Sequence, residues 1–222
     1  MTKLWKYDFD IAKYTKAIEL NPDNYGAYSN RGIAYQKKGQ YGLSIADFTK
    51  AIELNSDFDM AYITRGNAYQ EIGQYDLSIA DFNRAIDLSP QNGMAYNNRG
   101  FTFILMERYE EAENDIKKSL EFNPNNIYAL NSMAELYSAK NDAEEACMWL
   151  KKAIGKGYNN WSYIKTSKTY DNIRNSPCFI EIISRSSRAV EQQQKLLRYR
   201  VAALLMLTKA RLKIYNYYLQ GP

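Results

Sequence analysis

Through the first two thirds of the chain, apolar residues recur at steps of three and four, the spacing that gathers them on one face of a helix. The whole pattern repeats every 34 residues. The clearest pair of copies is YGAYSNRGIAYQKKGQYGLSIADFTKAIELNSDF, from Tyr25, and DMAYITRGNAYQEIGQYDLSIADFNRAIDLSPQN, from Asp59. A third copy begins at Gly93, a weaker fourth at Ile127, and the second half of an earlier one fills Tyr7 to Asn24. Each copy reads as two helices. On the first, Tyr28, Tyr62, Tyr96 and Leu130 are followed by Gly32, Gly66, Gly100 and Ala134, then by Tyr35, Tyr69, Phe103 and Tyr137. The large side chains fill a core, and the small residue lets a neighbouring helix come close. On the second helix the apolar face is Ser44, Ser78, Ala112 and Ala146, then Phe48, Phe82, Ile116 and Leu150, then Ala51, Ala85, Ser119 and Ala153. Pro22, Pro90 and Pro124 close their units, with Ser56 replacing the proline once, as suits a residue that ends helices. Self-similarity at this period predicts a solenoid in which each helix pair buries its apolar face against its neighbours.

This alternation of aromatic and small residues, closed by proline, resembles the tetratricopeptide repeat family from Tyr7 to about Asn160. The resemblance implies an all-α fold, a right-handed superhelical solenoid of antiparallel helix pairs, here followed by a long C-terminal helix. Four stretches are expected. Residues 1–24 would be a first repeat of which only the second helix has sequence, and residues 25–160 four repeats. Residues 161–184 would be closing helices, with Trp161, Ile164, Ile173, Phe179 and Ile183 covering the last apolar face, and residues 185–222 a basic amphipathic helix. Ile11, Tyr14 and Ala17 lack part of their usual cover; a start inside a repeat, a second protomer over this edge and fraying all remain open.

The family resemblance also implies a concave face lined by first-helix residues that do not face the hairpin core. Two chemistries stand out there. One is an asparagine track, Asn30, Asn67, Asn97, Asn98 and Asn131, whose amides both donate and accept along an extended backbone. The other is apolar: Met60, Ile63, Met94, Phe101, Ile104 and Leu105. Ile104 and Leu105 could equally pack on the adjacent repeat. Some members of the family clamp the acidic C-terminus of heat-shock chaperones with two asparagines and three basic residues. Here Asn30 matches one asparagine, but Met60 and Thr64 stand where cations belong, so a neutral extended or helical ligand is expected.

One pair of positions changes together. The seventh residue of each unit is Arg31, Arg65, Arg99 and then Met133, and the twenty-third is Asp47, Asp81, Asp115 and then Trp149. Both turn apolar in the same repeat, which predicts that each arginine pairs with the aspartate of its own unit, in a structural and not a catalytic role.

Composition narrows function further. Histidine is absent, which removes the commonest general base and metal ligand. No phosphate loop, nucleophile elbow or metal-ligand cluster is found. The expectation is a non-catalytic scaffold or adaptor without cofactor or small-molecule substrate, binding a peptide or helix of a protein partner; homo-oligomerisation stays open. An accessory region of a larger enzyme, such as a glycosyltransferase, is the first alternative. Cys147 and Cys178 are too few for a disulfide framework and are expected as reduced, buried thiols. The first residues show no secretory signal, and the longest apolar run, Val201 to Leu207, is too short to cross a bilayer, so a cytoplasmic protein is expected. Net charge is +4, yet residues 185–222 hold eight basic side chains and one acid, leaving −3 for the rest. The basic tail therefore carries the second alternative, association with a membrane surface; nucleic acid ranks below it.

Overall fold

The computed structural model describes residues 4–185, 199–201 and 207. Among them there is helix and no strand. Helices run α1 (Leu4–Leu20), α2 (Tyr25–Lys37), α3 (Tyr41–Leu54), α4 (Asp59–Glu71), α5 (Tyr75–Leu88), α6 (Gly93–Leu105), α7 (Tyr109–Phe122), α8 (Ile127–Ala139), α9 (Ala143–Gly155) and α10 (Trp161–Thr166). A 3-10 helix, Lys168–Ile173, and a helical stretch over 177–185 follow. Consecutive helices pack pairwise, and first helices also touch across repeats: α2 on α4, α4 on α6, α6 on α8. This is a helical-repeat solenoid. The expected long helix over 185–222 falls almost wholly outside the described residues.

Local chemistry explains where the helices start and stop. Asn24, Asn92 and Asn126 cap α2, α6 and α8, each side-chain oxygen accepting from backbone N–H groups of the first turn. Phe58 stands at the equivalent place before α4 and makes no such bond. Between the helices of a pair, Gly39 and Gly73 adopt left-handed φ of 71° and 76°, a conformation glycine takes without steric cost. Repeats three and four put Glu107 and Asn141 there, at φ of 60° and 61°.

Packing follows the small-against-large pattern. A Cβ added at Gly32, Gly66 or Gly100 would stand 3.1, 2.8 or 2.9 Å from Phe48, Phe82 or Ile116, so these glycines set how near α2, α4 and α6 lie to their partners. Phe48, Phe82, Ile116 and Leu150 are fully buried. At the C-terminal end, Ile164, Tyr170, Ile173 and Phe179 close the stack over Leu130 and Leu150. Each fully buried side chain of this size contributes about 1.5–3 kcal/mol. At the other end, Trp5 and Phe9 of α1 stay exposed.

One expectation is overturned in this closing region. Cys147 of α9 and Cys178 are joined by a disulfide, their Cα atoms 6.1 Å apart. The closing segment folds back so that residue 178 lands on α9, a juxtaposition 31 residues apart in sequence that no spacing motif announces.

Candidate functional site

The hairpin interior of each of the first three full repeats is braced by an ion pair. Arg31 Nε and Nη2 donate to the two oxygens of Asp47 at 2.8 and 2.7 Å, and Arg65 meets Asp81 at the same distances. Arg99 meets Asp115 at 2.7 and 2.8 Å. The third nitrogen, Nη1, reaches back to the preceding helix, to Thr15, Thr49 or Asn83. Each guanidinium also lies within 6.0 Å of two rings of its own helix, as Arg65 does with Tyr62 and Tyr69. In the fourth repeat Met133 is buried where the arginine would be. These forks tie helix to helix.

First helices of successive repeats line a groove that deepens between α4 and the closing segment into a pocket of about 290 Å³. Asn67 and Gln70 of α4, Asn97, Asn98 and Phe101 of α6, Tyr128, Asn131, Ser132 and Glu135 of α8, and Tyr158, Asn160 and Tyr163 form its wall. Among the described residues no lysine or arginine lines it.

Three asparagines are wired together here. Asn98 Nδ2 donates to Asn67 Oδ1 at 2.9 Å across the α4–α6 contact, and Asn97 Nδ2 donates to Asn98 Oδ1 at 3.3 Å. Asn97 Oδ1 is buried and accepts nothing, an arrangement that costs about 1–3 kcal/mol unless a ligand or water supplies a donor. Beside this relay, Thr102 Oγ1 lies 2.8 Å from Gln70 Oε1.

The far wall is a second polar cluster. Glu135 is buried, and its Oε1 accepts from Tyr163 Oη at 2.5 Å and Thr169 Oγ1 at 2.8 Å, its Oε2 from Asn131 Nδ2 at 2.8 Å. Tyr170 Oη donates to Asn131 Oδ1 at 2.8 Å. Burial raises the Glu135 carboxyl to about 7, against the pull of the three donors. The same burial, with Glu135 nearby, raises the Tyr158, Tyr163 and Tyr170 hydroxyls.

The expected concave-face residues separate into groups. Asn67, Asn97, Asn98, Phe101 and Asn131 share the pocket, but both ends of the Asn131 amide are engaged inside the protein. Met60 and Met94 are exposed at the starts of α4 and α6, and Asn30 is exposed on α2; none of the three lines the pocket. Leu105 is half-buried. Ile63, expected in the groove, is 1 % exposed and packs in the cluster of Tyr62, Phe82 and Ala95. Ile104 is buried against the next repeat. The fifth position of the first helix, held by Ser29, Ile63, Asn97 and Asn131, is buried in every copy. Tyr158 and Asn160 close the fourth repeat, Tyr158 where earlier units have Ser56, Pro90 and Pro124, and Tyr163 lies beyond it; none of the three was anticipated. Glu135 carries the sequence signal that was there to find: it occupies the ninth position, held by Ile33, Asn67 and Phe101 in earlier copies.

With the repeats, the helix pairing and the groove in place, the chain belongs to the tetratricopeptide repeat family. The Tetratricopeptide repeat profiles match residues 25–58, 94–126 and 116–148, and the TPR repeat profile matches 7–39 and 66–106. Among solved structures, a crystal structure of MamA is 27% identical with a TM-score of 0.59, covering 68% of this chain and 88% of that one. The first TPR of Spaghetti (RPAP3) bound to an HSP90 peptide is 27% identical with a TM-score of 0.50, covering 52% and 92%. The TPR protein TTC0263 of Thermus thermophilus shares the fold at 18% identity and a TM-score of 0.64, covering 72% and 87%. No curated protein matches the chain. Among the described residues no helix is long and apolar enough to cross a membrane.

Proposed function

We propose that this array is a protein-interaction scaffold whose groove, from α4 to the closing segment, holds an extended or helical segment of a protein partner. The observation that carries this reading is the Asn67–Asn98–Asn97 relay ending in a buried oxygen that lacks a donor, beside the Phe101 ring in the same pocket. A backbone N–H of a bound segment supplies such a donor, while Phe101 and Tyr128 give its side chains apolar contact. The similarity to a repeat domain bound to a chaperone peptide supports peptide binding as the mode. An acidic tail is a poor fit, since among the described residues the pocket offers a carboxylate and no cation. Met60 and Met94, exposed at the helix starts, extend the contact surface towards the N-terminal repeats.

The test is selection of displayed random peptides on the full chain, with Phe101→Glu and the milder Asn67→Ala as counter-targets, both checked for folding by circular dichroism. Enriched peptides should lose at least about tenfold in affinity on each variant, the size of effect typical of a central contact. Peptides that bind all three proteins alike would place the binding surface elsewhere.

A further inference from the structure

Four carboxylates are buried among the described residues: Asp47, Asp81, Asp115 and Glu135. The first three each receive a two-pronged arginine. Among the described residues Glu135 receives only neutral donors, Tyr163, Thr169 and Asn131. Its Oε2 accepts a single bond, and a carboxylate oxygen can accept two, so one acceptor site of the buried charge stays open. Buried charge is ordinarily paired. The same pocket holds the unpartnered Asn97 Oδ1 and the rings of Phe101, Tyr128, Tyr158 and Tyr163. Tyr128 is 65 % exposed at the rim and meets the nearly buried Tyr158 edge-on, ring centres 6.2 Å apart. A carboxyl with an open acceptor site, framed by aromatic rings, makes a recognition site for a positive charge, which favours the ionised form of the carboxyl.

We infer that this pocket takes a primary ammonium or guanidinium, supplied by a lysine or arginine side chain of the bound segment, with Glu135 as its charge partner and the Tyr128 and Tyr158 rings as its walls. This refines the groove reading above by naming the residue the segment presents, and rests on that reading for the segment but not for the pocket. The aliphatic stem of either side chain would lie along Phe101 and Tyr128 while the head group donates to Glu135 Oε2 and the segment's backbone N–H to Asn97 Oδ1.

The pocket is tested apart from any partner by titrating the isotope-labelled full chain with N-acetyl-lysine methylamide, its arginine counterpart and, as an uncharged match in shape, N-acetyl-norleucine methylamide. One or both charged compounds should shift the amide resonances of Asn98, Ser132 and Tyr163 saturably in the millimolar range, and the norleucine compound should not. Glu135→Gln keeps a side chain of the same shape and should weaken charged binding at least about tenfold, as should Tyr128→Ala at the exposed rim. If Glu135→Gln loosens the closing segment, Tyr128→Ala decides. Equal binding of the norleucine compound, or unchanged binding of the lysine and arginine compounds to both variants, overturns the inference. Groove-dependent peptides that lack a basic residue would remove this inference and leave the groove reading standing; saturable lysine binding without any selected peptide would do the reverse.

Discussion

Removing one half of the Arg65–Asp81 pair should destabilise the array far more than an ordinary surface charge change. Two hydrogen bonds of 2.8 and 2.7 Å join side chains that are 15% and 7% exposed. Exposed ion pairs contribute about 0.2–1 kcal/mol, and leaving one partner of a buried pair uncompensated costs about 3–5 kcal/mol. This pair sits towards the buried end. Asp81→Ala leaves a guanidinium that still donates to Thr49 at 3.0 Å and lies over Tyr62 and Tyr69, so a cost of about 2–3 kcal/mol is expected. Arg65→Leu leaves a buried carboxylate with no other cation, and about 3–4 kcal/mol is expected at neutral pH. Its cost should shrink in mild acid as the stranded Asp81 takes up a proton. The double variant should be less unstable than the sum of the two by about 2 kcal/mol. Urea unfolding of the four proteins followed by circular dichroism measures each term. A coupling below about 0.3 kcal/mol would show that the two charges act independently and that the fork carries no stability.

Three further outcomes are expected. Gly66→Ala places a methyl 2.8 Å from the Phe82 ring and should cost about 1–3 kcal/mol, whereas Gly42→Ala, with nothing within 4 Å, should be neutral or stabilise by up to about 1 kcal/mol; equal thermal stability of the two variants would contradict the packing. Reducing Cys147–Cys178, which closes a loop of 31 residues, should lower stability by roughly 3–4 kcal/mol if the whole fold unfolds together, and a melt unchanged by reductant would refute that. Burial lifts the Glu135 carboxyl from 4.5 to about 7, so the native chain holds this proton more tightly than the unfolded chain; this stabilisation is complete below pH about 4.5 and is lost as pH rises through about 7, on the order of 3 kcal/mol in all. Wild type and Glu135→Gln, unfolded in urea from pH 5 to 8, should therefore diverge, and parallel curves would show that Glu135 titrates normally.

The sequence alone determined the solenoid, because a 34-residue period with small and large residues in fixed places permits helices only where their apolar faces can meet a copy of themselves. It also put a small residue at Gly66, where a neighbouring helix comes close, and set each arginine sixteen residues before an aspartate, an interval along one hairpin. Tertiary structure decided what the period leaves open. Ile63 and Asn97 hold the same fifth position in successive repeats and both are buried, yet Ile63 packs in the cluster of Tyr62, Phe82 and Ala95 while Asn97 borders the pocket, which the closing segment walls only at the C-terminal end of the array. The Glu135 pocket and the Cys147–Cys178 bond were illegible for another reason. Tyr163, Thr169 and Cys178 lie beyond the last repeat, so no internal copy indicates what they meet; only the chain's return over α8 and α9 brings a buried carboxylate, its tyrosines and a second sulfur together.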